Sequence, residues 1–178
     1  MRNISQEELQ KILKAHRRWL KSGGRKGYRA DLHGTDLAKA DLFKADLQGA
    51  DLSRANLRGA NLTGANLSGV NLREANLSWA DLSKVNLQGA DLSRVDLYQA
   101  DLSRANLYGA DLSEASLSRA NLSYTDLSGA NLREASLQQA DLREADLRVA
   151  TAKGCWIRGA KFSFPREKAR LLMLGAWE

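Results

Sequence analysis

A chain of 178 residues has the length of one domain, yet it is only 6% aromatic and holds a single proline, so Leu and Ala must fill whatever core it builds. One cysteine, Cys155, excludes an internal disulfide and a four-thiolate metal site, and two histidines, His16 and His33, leave no cluster for zinc. The net charge of +6 is unevenly spread: residues 1–29 carry nine Lys/Arg against two Glu, residues 30–150 carry 12 against 17 acids, and residues 151–178 carry six against two. A mildly acidic body therefore lies between two basic ends. No apolar run approaches the roughly 18 residues of a membrane span, and Met1 to Gln10 lacks the basic start, apolar block and cleavage site of a secretion signal, so a cytoplasmic location is expected.

The first segment, residues 1–29, reads as a capping helix and linker. Ser5 with Glu8 three residues on forms a capping box, and Ile4 and Leu9 are placed as a hydrophobic staple. The helix is predicted to run to about Lys21 and to stop at Gly23-Gly24. Leu9, Ile12, Leu13, His16, Trp19 and Leu20 share one face, predicted to lie as a lid on the segment that follows. Lys11, Lys14, Arg17, Arg18 and Lys21 occupy the rest. That basic face is either the solvated back of the lid or a surface for an acidic partner, nucleic-acid phosphate or a membrane.

From Ala30 the chain becomes periodic: A-D-L-H-G, T-D-L-A-K, A-D-L-F-K, A-D-L-Q-G. Leu falls at every fifth position from Leu32 to Leu147, 24 times without insertion, and the register continues through Ala152, Ile157 and Phe162. Five steps of about 100° turn successive leucines by about 140° around a helix axis, which excludes an α-helical face. The apolar spacing alternates two and three, so Ala and Leu share one side of a short extended piece and the remaining residues turn a corner. A-(D/N)-L-x-x resembles the motif of the pentapeptide-repeat family over residues 30–164. The resemblance implies an all-β solenoid, a right-handed quadrilateral β-helix with four repeats, about 20 residues, in each coil. Leu32, Leu52, Leu72, Leu92, Leu112 and Leu132 would then form one stacked column.

The variable positions distinguish the faces of such a rod. The residue before Leu is Asp 13 times, Asn nine times and Ser at Ser116 and Ser136. These share a short side chain with an oxygen that accepts from turn backbone, so charge is not what the position selects, and calcium or acid/base roles are disfavoured. Gly49, Gly69, Gly89, Gly109 and Gly129 fall in one column ending at Val149, as a turn requirement, a close backbone approach or a flat docking surface would produce. Arg54, Glu74, Arg94, Glu114 and Glu134 fall in another, predicted to be a salt-bridge ladder. Trp79 and Tyr98 should be neighbours on one face and form a candidate partner patch.

Residues 165–178 are predicted to form a short capping helix opened by Pro165, with Ala169, Leu171, Leu172, Leu174 and Trp177 as its apolar members. Dimerisation through the C-terminal end is what the family resemblance implies, and Leu171, Leu172, Leu174 and Trp177 are the candidates for a shared cap. Cys155 takes a small inward position. No nucleophile with a base, phosphate loop or metal spacing occurs, so no enzyme activity, cofactor or catalytic residue is expected. The expected function is a structural or protein-interaction role with an unspecified partner. Two alternatives stand beside it. The resemblance also covers DNA-mimicking modulators of type II topoisomerases such as gyrase, for which this body is weakly acidic. Nucleic-acid binding through the basic N-terminal helix is the other.

Overall fold

A computed structural model describes residues 1–178. Its elements in chain order are β1 (Arg2–Asn3), α1 (Gln6–Lys21), β2 (Thr35–Asp36) and α2 (Pro165–Met173). Between β2 and α2 the chain is a β-solenoid. Parallel bridges join each residue before Leu to its counterpart 20 positions on, from Asp31 with Asp51 to Asp141 with Lys161. Each side of a coil is thus one bridge residue long, because the next three residues are spent on the corner.

Two sets of backbone bonds build this repeat. Along the axis, Leu32 N–H donates to the Asp51 carbonyl at 2.7 Å and Asp51 N–H donates to the Ala30 carbonyl at 3.0 Å, a pattern repeated coil after coil. Around each corner the Leu carbonyl accepts from the N–H three residues later, as Leu37 does from Ala40 at 3.0 Å. The second residue after Leu takes positive φ in every repeat from Gly34 to Gly159, which marks type II turns. All 24 leucines are at most 4% exposed, so the period places every one of them inside. Thr35 and Thr125 stand where most repeats have Ala, and their buried hydroxyls donate to the carbonyls of Leu32 (2.6 Å) and Leu102 (3.1 Å). Cys155 is fully buried, and desolvation pushes its thiol up to about 12, which makes it a core residue.

Of the two conformational causes expected for the glycine column, the turn's positive φ is present and close approach is absent. All five glycines take the positive φ that favours glycine, although sixteen non-glycine residues adopt it too, Val149 in this column among them. A Cβ added at Gly49, Gly69, Gly89 or Gly109 would meet nothing within 4 Å, so close approach is not a cause. The salt-bridge ladder is likewise interrupted. Arg54 pairs with Glu74 and Arg94 with Glu114, each at 2.9 Å, as two separate pairs with no bridge between them.

At the N-terminal end Ser5 caps α1, its hydroxyl accepting from Glu8 N–H at 3.1 Å. Leu9, Ile12 and His16 are buried against the first coil. Every later repeat from Thr35 to Ala150 has a preceding Leu carbonyl to accept from its first N–H. Ala30 has none, and His16 Nδ1 accepts from it at 3.1 Å instead. β1 pairs in parallel with β2, Arg2 opposite Thr35, and so covers part of the open edge, an addition the sequence reading did not contain.

At the C-terminal end the helix is shorter than expected. α2 stops at Met173, with Leu174 as its C-cap. Trp177 is therefore not a helical residue: it bridges Trp156 in parallel, its N–H donating to the Cys155 carbonyl at 2.6 Å. Gly175 turns the chain with φ 88° and gives its carbonyl to Gly154 N–H at 2.8 Å. The last residues thus return as an added rung, because pairing the exposed edge satisfies backbone groups that a longer helix would leave open.

Two expectations follow. Val149 is β-branched, 77% exposed and held at φ 57°. Relieving a left-handed strain of about 1–2 kcal/mol outweighs the greater unfolded-chain freedom of glycine, about 0.5–1 kcal/mol. Val149→Gly should therefore raise the thermal midpoint, and an unchanged or lower midpoint would contradict this. The second concerns His16, whose buried Nε2 has no hydrogen-bond partner. Burial lowers its pKa below the ordinary 6.5, only partly opposed by the charge of Asp46, while Arg29 adds to the lowering. The unfolded chain therefore binds the proton first, so stability is constant above about pH 6.5 and falls as the pH drops through 6.5 toward the folded value. Denaturant titrations between pH 7 and 5 should show this loss, and His16→Gln should flatten it at the cost of lower stability at neutral pH.

Candidate interaction surface

The corner residues of one side of the solenoid form a connected strip. Trp79 projects from its corner at φ 63° and is 53% exposed. Tyr98, one coil further, meets it edge to face, with ring centroids 5.9 Å apart and planes at 73°, so the two candidate residues are brought together as expected. Arg119 Nη1 donates to Tyr98 Oη at 3.2 Å, and Arg119 Nε donates to Gln139 Oε1 at 2.8 Å. Four successive coils are thereby joined through side chains. The sequence reading missed Arg119 and Gln139, although their register 40 and 60 positions after Trp79 places them in the same column.

The same side is also where the residue before Leu departs from Asp and Asn. Ser116 and Ser136 occur here, and Ser118 and Ser136 share a hydrogen bond of 2.8 Å between hydroxyls. Beyond Asp96, residues 97–99, 116–119, 136–139 and 156–159 contain no carboxylate. The strip ends in a second edge-to-face pair, Trp156 with Trp177, at 4.9 Å and 82°. Trp79 and Trp156 lie four coils apart, about 19 Å at the usual strand spacing.

On the other sides Asp and Asn do structural work. Asp51 Oδ1 accepts from Ser53 N–H at 2.9 Å, and Asn61 accepts in the same way from Thr63 N–H at 3.1 Å. Asn can also donate to the neighbouring coil, as Asn61 does to Asp41 at 3.0 Å and Asn131 to Asp111 at 2.8 Å. An Asn beside an Asp therefore stacks where a second carboxylate would repel. Burial raises the pKa of Asp51, but bonds from the Ser53 hydroxyl and N–H outweigh it and the net shift is downward. Asp141 and Asp146 are lowered chiefly by side-chain bonds from Arg143 and Arg148.

The remaining candidates fall at the two ends. Lys11, Lys14, Arg17, Arg18 and Lys21 are all exposed on α1, and of these Lys11 alone is paired, with Glu7 at 2.7 Å. Leu171 is fully buried beneath α2 and so presents no surface to a partner, while Leu174 is half-buried. Leu172 and Trp177 are exposed, and so are Met173 and Phe164, which the sequence reading did not single out.

A narrow coil of Leu-centred five-residue repeats, joined rung to rung, defines a β-solenoid. The family model for pentapeptide repeats matches eight copies spanning residues 28–163, and the chain belongs to that family. Among solved structures, a pentapeptide repeat protein of the Arabidopsis thaliana thylakoid lumen is 30% identical over 58% of this chain and 75% of that one, with a TM-score of 0.53. QnrB1, a plasmid-mediated fluoroquinolone resistance protein, is 18% identical over 82% of this chain and 89% of its own, with a TM-score of 0.62, a likeness of fold alone. No curated protein sequence matches. No helix is long and apolar enough to cross a membrane.

Proposed function

We propose that the chain is a right-handed, non-catalytic rod, closed by a helix at each end, that binds a protein partner through the strip from Trp79 to Trp156. The ordered Trp79–Tyr98–Arg119 cluster carries this reading. Trp, Tyr and Arg are the side chains that dominate interface energetics when they are packed together. Arg119 is fixed by bonds at both ends of its guanidinium, so little rotamer freedom remains to be lost on association. The strip has cationic Arg119 and Arg158 and no carboxylate beyond Asp96, which suits an acidic partner surface. Backbone groups on the sides are already paired along the axis, so the partner must read side chains.

The segments keep their expected division in this reading: a lid over 1–29, the repeat body over 30–164, and a C-terminal cap over 165–178 that offers Leu172, Met173 and Trp177 to a second copy. Mimicry of duplex DNA toward gyrase has less support. It needs a continuous run of negative charge, whereas Asn stacks against many of the Asp residues, and the resemblance to QnrB1 extends to fold.

The test is affinity capture from the lysate of the source organism with wild-type chain, Trp79→Ala and Arg119→Ala. Proteins held by the wild type should be lost from both variants, with circular dichroism unchanged. If every captured protein is retained by both variants, the strip is not the binding surface.

A further inference from the structure

The last turn of α1 and the linker after it border an open cleft of about 770 Å3 lined by Arg18, Lys21, Ser22, Arg25, Lys26 and Gly27. Four of these are cations, and none of the four takes part in a salt bridge. The walls are held by bonds of the chain itself. Ser22 Oγ accepts from Lys26 N–H at 2.8 Å, and Arg25 Nε donates to the Ser22 carbonyl at 3.1 Å. At Gly27, with φ 80°, a Cβ would sit 2.2 Å from the Ala15 carbonyl oxygen. Only glycine lets the linker fold back against the helix there, and that return sets Arg25 and Lys26 opposite Arg18 and Lys21. Crowding four like charges around a concavity raises its potential until an anion enters.

We infer that this cleft binds the phosphates of a single-stranded nucleic acid. Its volume accommodates one or two nucleotides, within the usual range of ligand pockets. Arginine offers phosphate a planar fork and lysine a point charge, and both are present. Tyr28, the residue after Gly27, lies outside the cleft's lining but is 54% exposed, so its ring is available to stack on a base that extends from the cleft. A lipid surface fits less well, because Leu9 and Ile12 are buried against the first coil and α1 has no apolar face left to insert. The site is independent of the Trp79 strip.

Fluorescence anisotropy of labelled oligothymidylate with the full chain tests it. Four engaged cations predict a slope of about −2.8 for log affinity against log salt, or roughly 50-fold weaker binding between about 50 and 200 mM. Lys21→Gln with Arg25→Gln should bring the slope to about −1.4 while circular dichroism stays unchanged. Tyr28→Ala should weaken binding at least about fivefold without altering the slope. Absence of salt-dependent binding, an unchanged slope in the double variant, or unchanged affinity in Tyr28→Ala would overturn the assignment. So would tighter binding to phosphatidylserine vesicles or to polyglutamate than to the oligonucleotide.

Discussion

Everything in this molecule depends on a single closure constraint: the chain must return over itself every 20 residues so that each rung can bond to the next. Axial bonds use the backbone groups around each Leu, and the corner bond from the Leu carbonyl turns the chain into the following side. With both sets made, the interior receives only Ala-sized and Leu-sized side chains. This explains a core nearly free of aromatics, and why 24 repeats pass without insertion. An extra residue would shift all later leucines out of their columns, as a slip of register does in any sheet.

A coil built this way has no edges along its sides and two open ones at its ends. The ends are met by different means. At the first coil, β1 adds a strand and His16 stands in for a missing carbonyl acceptor. At the last, α2 lays Leu171 over the core and the chain then returns to add Trp177 as a rung. A helix alone covers apolar surface but offers few partners for strand backbone, so at both ends a helix is combined with an extended piece.

The sides carry only open, shallow clefts such as the one bordered by Ser123, Tyr124 and Arg143, and what distinguishes them is written in columns of period 20. Asp and Asn serve the corners everywhere and are interchangeable there as acceptors. On one side this background gives way to Ser, Gln, Arg and aromatic residues. The conversion from solvated surface to a preorganised strip needs few substitutions, since the backbone beneath is unchanged. In the proposed reading, side chains spaced at the rung distance take the part that loops play in recognition by other folds.

Much of this was legible in the sequence. The phase of Leu32 to Leu147 determined the solenoid and its inward residues, because a five-residue period admits no α-helical face. The adjacency of Trp79 and Tyr98 followed from the period of 20, as did the burial of His16 from the helical face of α1. What the tertiary structure alone decided lay where the period ends or where side chains choose among neighbours. Trp177 left the helix for a rung because an open edge nearby could satisfy its backbone. The Arg54 to Glu134 column broke into separate pairs because each arginine takes one carboxylate. Arg119 joined Tyr98 and Gln139, and Gly27 drew the linker against Ala15, because these contacts depend on rotamers and close approaches between segments. A repeat specifies which residues face each other, but the directions of long side chains and the path of the chain beyond the repeat are settled only by the packing around them.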